Sequence, residues 1–330
     1  MQKAAASLLR PYWAVLALAV NLLWCAAASA GEDIELQPIQ VSPHVYYFHG
    51  GSGMATAANK GFMSNAGFVV TDDGVVVFDA LATPALGEAM LRAIKRVTPQ
   101  PVKRVLISHY HADHFYGLQA LKAHGAEVWA HQNSRAYLNS DVALERLKQR
   151  RSALSPWVNE NTRLVAPDRL LDFKEGKVLT FEMGSIRFRI IDSSGAHSPE
   201  DIMLFVENDS VLFSGDLYFT GRIPFVGEAN SKVWLEALDR MLAVQPRIVV
   251  PGHGQASDKT AQDLGLTRDY LRFLRRKMGE AVADLVPFDE AYQNVDWSPF
   301  EKYPAFQQAN RLNAYGTYLL MEKESLSKGQ

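Results

Sequence analysis

Four side chains able to hold a metal ion stand within six residues, at a point where a strand gives way to a helix. Residues 102–108 alternate in polarity and close on Leu106, Ile107 and Ser108, which reads as a buried strand. Residues 117–122 read as the start of a helix. Between them come His109, His111, Asp113 and His114, in the order H-x-H-x-D-H. Imidazole and carboxylate are the ligand types that suit zinc and similar divalent ions. Alternation along an extended chain puts His109 and His111 on one side and Asp113 and His114 on a neighbouring side. The stretch is therefore able to feed two metals rather than one.

Three more ligand-type residues occupy the same kind of place. His197 follows the strand at 186–191, Asp216 follows the strand at 211–213, and His253 follows the strand at 248–250. Each stands near glycine, where backbone turns sharply and approaches a ligand closely. Singly, each would pass for a turn or cap residue. Together with the first motif they make seven ligands, enough for two metals.

Around these points the chain alternates strands and helices in two similar blocks. Short strands are expected within 34–48, then a strand pair at 65–70 and 74–78 turned at 71–74, with Asp79 at its end. Residues 84–97 carry Leu86, Met90, Leu91, Ile94 and Val97 at helical spacing, with Pro84 in the first turn. A strand at 127–130 and His131 follow. Residues 134–166 read as a mostly helical, amphipathic insertion with Leu138, Val142, Leu144, Leu147 and Leu154 as core positions. A second strand block covers 178–181, 186–191, 202–206 and 211–214, followed by a helix at 234–244 and a strand at 247–250. Helices are expected at 264–285 and 304–323. Two α/β halves packed sheet to sheet, with helices over both outer faces, satisfy this order.

Composition narrows the function classes. With 330 residues, 48% hydrophobic and 21% charged, the chain is globular rather than disordered. A formal charge of -2 and no polybasic run argue against nucleic acid as a partner. Lys3 and Arg10, the apolar run from 11 to 24 and the small residues Ala28, Ser29 and Ala30 have the form of a secretory signal peptide. Cleavage there would leave no stable membrane span and an exported, periplasmic protein. Cys25 is the sole cysteine. Its loss with the leader would exclude a cysteine nucleophile and any thiolate ligand.

The H-x-H-x-D-H motif, His197 after Gly195, Asp216 after Gly215 and His253 between Gly252 and Gly254 together resemble the metallo-β-lactamase-fold hydrolase superfamily. That resemblance spans about residues 34–254. It implies a four-layer αβ/βα sandwich over residues 31–259, after a leader at 1–30 and before a helical C-terminal extension at 260–330. It implies that His109, His111 and His197 hold a first metal, that Asp113, His114 and His253 hold a second, and that Asp216 bridges them. Asp79 resembles an early aspartate that supports the metal loop through hydrogen bonds without binding metal. Aspartate at the bridging position resembles the glyoxalase II-like subgroup, and export resembles zinc metallohydrolases of quinoprotein and sulfur-oxidation systems.

The reaction so implied is hydrolysis of a small ester, thioester or lactone by a metal-bound hydroxide. Two divalent ions are expected, zinc first, with iron or manganese compatible with the same donors. Asp113 is expected to orient the water or pass a proton to the leaving group. Tyr218 and Arg222, just past Asp216, are candidates for binding an oxyanion and a substrate carboxylate. The partner is then a small molecule, with oligomeric state open. Three other readings share the fold: a β-lactamase, a mononuclear iron persulfide dioxygenase, and a non-catalytic metal-binding protein.

Overall fold

The computed structural model describes residues 34–174 and 176–328, so the leader assigned to 1–30 lies outside the described residues. From Leu36 onward the chain forms one compact unit. The unit is built on two sheets. The first has seven strands in sequence order: β1 (Ile39–Gln40), β2 (Val45–Phe48), β3 (Ala66–Thr71), β4 (Gly74–Phe78), β5 (Val102–Ile107), β6 (Glu127–His131) and β7 (Arg169–Leu171). Pairing is antiparallel from β1 to β4 and parallel from β4 to β7. The second runs β12 (Ile248–Val250), β11 (Val211–Phe213), β10 (Ile202–Val206), β9 (Ile186–Asp192), β8 (Val178–Met183). Only β11 and β12 pair in parallel there.

The sheets face each other across an apolar core. Val45, Val69, Val76, Phe78 and Leu106 from the first meet Phe188, Ile190, Leu204, Phe213 and Val250 from the second. The Phe78 and Phe213 rings stack at 5.5 Å. Strand period two sends Val75, Val77 and Val105 to the opposite face, where they are equally buried. That face lies toward the helical layer of α1 (Pro84–Val97) and, past the single turn α2 (Ala112–Phe115), α3 (Leu118–Ala123), which packs on α1 and β6. The sequence specifies α1 well. The Thr83 side chain accepts from Leu86 N, Pro84 opens the first turn, and Lys95 and Arg96 lie in the last.

Beyond the second sheet lies α6 (Ser231–Ala243), and after β12 come the short α7 (Thr260–Asp263), then α8 (Gly265–Ala283), α9 (Phe288–Asn294) and α10 (Phe306–Lys328). Trp234, Leu238, Tyr270, Leu274, Ala314 and Met321 bury against Met203, Phe205 and Leu212 of the sheet. Fully burying a leucine or methionine side chain stabilises by about 1.5–3 kcal/mol. The result is a helix–sheet–sheet–helix sandwich with the C-terminal helices on its outer face. Among the described residues no helix is long and apolar enough to cross a membrane.

Two expectations need correction. Residues 134–166 are mostly helical, in α4 (Ser134–Leu138) and α5 (Asp141–Ala153), with Leu147 and Leu154 buried, but the other three expected core positions are not. Val142 and Leu144 are 64% and 60% exposed, and Leu138 is half-buried. Charged residues surround α5, and only Ala143 and Leu147, one turn apart, reach the core. In addition α9 is a seven-residue helix where none was expected, too short to show a period.

Candidate metal centre

Four chain segments leave their sheets at one edge and deliver one or more ligands each. Beyond β5, His109 and His111 stay on extended chain while Asp113 and His114 sit on α2. The turn begins earlier than the helix expected at residue 117, and it changes the side-chain direction between the two halves of the motif. His197 lies between β9 and β10, Asp216 on a 3-10 turn after β11, and His253 after β12.

The seven residues gather into two groups. His109, His111, His197 and Asp216 form one, and Asp113, His114 and His253 the other, with ligand atoms within 4.8 Å of one another. Asp216 belongs to both by distance. Its Oδ2 lies 3.9 Å from His109 Nε2 and 3.6 Å from His197 Nε2. Its Oδ1 lies 3.1 Å from His114 Nε2 and 3.3 Å from His253 Nε2. Asp113 Oδ2 stands 3.6 Å from His114 Nε2 and 3.4 Å from His253 Nε2.

These donors fit cations. His109 Nε2, His114 Nε2 and Asp216 Oδ1 are buried with no properly aimed hydrogen bond among the described residues. Such atoms are costly unless something else satisfies them. His111 Nδ1 and His197 Nε2 approach to 3.0 Å, two ring nitrogens aimed at one point. Nitrogen and carboxylate donors without thiolate suit zinc, iron or manganese.

The charge pattern is sharply divided. Burial pushes His109 well below the ordinary histidine range, and the neighbouring His114 and His111 add to it. Burial, with His111 beside it, takes His197 down to about 3. Burial also lowers His114 and His253, but Asp216 and its neighbouring carboxylates overcome it and raise both. Burial alone would raise Asp216 and Asp113; facing histidines hold both below the carboxylate range.

Hydrogen bonds fix the rings from behind. Asp79 Oδ2 lies 2.8 Å from His114 Nδ1, which points Nε2 into the centre. Asp79 also accepts from Ser108 N at 2.7 Å and Ser108 Oγ at 2.8 Å, and Ser108 Oγ stands 2.9 Å from His109 Nδ1. Burial raises the Asp79 carboxyl, against the pull of His114 and Ser108. Asp79 and Leu81 hold φ of 63° and 64°, at roughly 1–3 kcal/mol each. Bonds from Ala80 N to His114 O and from Gly117 N to Leu81 O keep that loop against α2. His253 Nδ1 donates to Met63 O at 2.8 Å. Asn65 Nδ2 donates to Pro251 O and Gly254 O on either side of His253. Gly252 is required for contact: a Cβ there would stand 2.1 Å from Asp216 Oδ1.

Tyr218 and Arg222 stand differently from the ligands. Tyr218 is fully buried in the core between the second sheet and the C-terminal helices. Arg222 is 2% exposed, with Nη1 3.4 Å from both His253 Nδ1 and Gly53 O. It forms no ion pair among the described residues. Ser108, Asn65 and Glu200, which brace the ligand loops, carried no signal in the sequence, being common polar residues without a motif.

A family model described as the metallo-beta-lactamase superfamily matches residues 59–253. Among curated relatives, the linear primary-alkylsulfatase of Pseudomonas sp. (strain ATCC 19151) is 22% identical over 262 residues, 69% of this chain and 49% of that protein. Metallo-beta-lactamase IND-1 of Chryseobacterium indologenes is 22% identical over 236 residues, 70% of this chain and 86% of that one. The stereoselective inverting sec-alkylsulfatase Pisa1 from Pseudomonas sp. has the same fold, with a TM-score of 0.66 at 19% identity over 86% of this chain and 50% of its own. The chain spans about half the length of the alkylsulfatases it matches.

Proposed function

This chain belongs to the metallo-β-lactamase superfamily, and from that premise we propose that it is a hydrolase that holds two divalent ions, zinc first, and cleaves a small ester, thioester or lactone. The observation that carries the reading is the Asp216 carboxylate, which turns one oxygen toward each histidine group. His109, His111 and His197 would hold one ion, and Asp113, His114 and His253 the other. When bound, such ions supply Lewis acidity, which activates water near neutral pH and withdraws charge from a substrate oxygen.

The chain's own groups do the rest. Asp79, Ser108 and the Met63 carbonyl fix which ring nitrogens face inward. Asp113 is the more open of the two central carboxylates, its side chain 12% exposed against 5% for Asp216. It is placed to hold a proton in transit from water to the leaving group. Buried Arg222, beside His253 and in no ion pair among the described residues, favours an anionic group on the substrate.

A second reading, hydrolysis of an alkyl sulfate ester, is favoured by the alkylsulfatase relatives and by Arg222. The aspartate at the bridging position supports the glyoxalase II-like subgroup, and the leader supports export to the periplasm. Elemental analysis of the purified chain tests the proposal. Two zinc ions per chain, with ester or thioester hydrolysis abolished by a chelator and restored by zinc, is the expected result. One iron per chain, or hydrolysis indifferent to chelation, would overturn it. Alkyl sulfates and β-lactams belong in the same substrate panel.

A further inference from the structure

We propose that Glu200 is a positioning residue that sets the spacing of the first metal site, by tying the loop that carries His109 and His111 to the loop that carries His197. The inference rests on the two-ion reading above and adds to it a residue that touches neither ion. Beyond the end of β5 the Tyr110 N–H has lost its sheet partner, and a buried orphan donor is costly. Glu200 Oε1 accepts it at 3.1 Å. Tyr110 stands between the two histidines, so this bond fixes the backbone from which both ligands project. Glu200 is 4% exposed and forms no ion pair among the described residues.

The neighbouring aspartate has a different task. Asp201 accepts from Ser198 N and Ser198 Oγ, both at 2.7 Å, and so braces its own loop just after His197. Ser193 N donates to the Asp201 carbonyl at 3.0 Å and closes the loop's base. That loop is stiff on its own account, and Glu200 projects from it across to Tyr110. Ile202 N also donates to Ser108 O at 3.0 Å, at the base of the two segments, and at the ligands themselves the His111 and His197 rings meet at 3.0 Å.

The second group has further supports of its own. Asp113 and His114 share the turn α2, and His253 is held through Met63 and Asn65. Loss of Glu200 should therefore weaken one site and spare the other. Burial raises the Glu200 carboxyl, opposed by the Tyr110 N–H. Either protonation state keeps an oxygen able to accept.

Three full-length variants separate reach from charge. Glu200→Gln keeps a carbonyl oxygen at the same distance. Glu200→Asp keeps the charge but withdraws it by one methylene, and Glu200→Ala removes both. Zinc titration of the metal-free proteins against a chromophoric chelator reads each site, and a His253→Ala background reads the first site alone. The Asp and Ala variants should lose about 10–100-fold in first-site affinity. Second-site affinity should hold, and Glu200→Gln should stay close to wild type. The proposal is overturned if both sites weaken equally, if Gln fails as badly as Ala, or if Ala binds like wild type. A folded far-UV spectrum is required of each variant, and the Asp and Gln pair decides the matter if Ala does not fold. A wild type that binds one ion only would end the two-ion reading instead. Loss in the Asp variant with rescue by Gln, measured on that ion, would still support the role of Glu200, and no loss would overturn it.

Discussion

Asp113 and Asp216 are chemically the same group in two environments. Asp216 is enclosed by histidines on both of its oxygens. Asp113 faces two histidines through Oδ2 and keeps the more open side. A group that exchanges protons with substrate needs such access, and positioned acid–base groups contribute about 10²–10⁴-fold. Asp113→Asn, with both ions retained, is therefore expected to lower kcat at least about 100-fold with little change in KM. Full activity in a variant shown by elemental analysis to hold both ions would remove the proton role. The seven residues the structure gathers are the seven that stood out in the sequence, because ligand-type side chains at strand ends beside glycine are conspicuous. Asp79 was visible at a strand end, and its supporting role only through the family resemblance. Ser108, Asn65 and Glu200 were not, since their work depends on partners far away in the chain. Tyr218 and Arg222 stood out only by nearness in sequence to Asp216; the structure buries Tyr218 against the C-terminal helices and sets Arg222 beside His253.

At the scale of elements, local chemistry set how much could be read. Helix α1 has a cap, a proline and a clean apolar stripe, and its ends fall where the spacing put them. Helix α5 has no such stripe, and it is Tyr137 of α4 whose ring packs near Tyr110 and Phe115, 6.4 Å from each. Pairings between turns are invisible to any period. Asp209, in the β10–β11 turn, accepts from Ser42 Oγ and from His44 N at 3.1 Å, and lies 2.8 Å from His44 Nδ1. It thereby ties the β1–β2 turn of one sheet to the other sheet. Burial alone would raise the Asp209 carboxyl, but these donors outweigh it and hold it below the ordinary range. A carboxylate depressed in the folded state stabilises above its unfolded value, about pH 4, and that contribution fades as pH falls through the depressed value. Asp209→Ala should cost about 1–3 kcal/mol at pH 7 by urea unfolding, with the gap from wild type narrowing below about pH 4. A gap that stays constant down to pH 3 would count against the charged clamp.

The whole molecule was legible as a scheme of layers, since two strand blocks with helices between them have few ways to bury both faces. What the scheme leaves out is order in time. The ligands lie on four connections drawn from both sheets, far apart along the chain. Closing such distances is entropically slow, and the centre cannot exist until the sheets have docked. Metal should then bind after the folding barrier rather than help in crossing it. Stopped-flow refolding and unfolding with and without zinc would show this as an unchanged folding arm and a slower unfolding arm. A folding arm accelerated by zinc would mean that some ligands assemble early. If the arms behave as expected, the ions act as a latch fastened last: the chain reaches its shape unaided, and metal governs how long it keeps it.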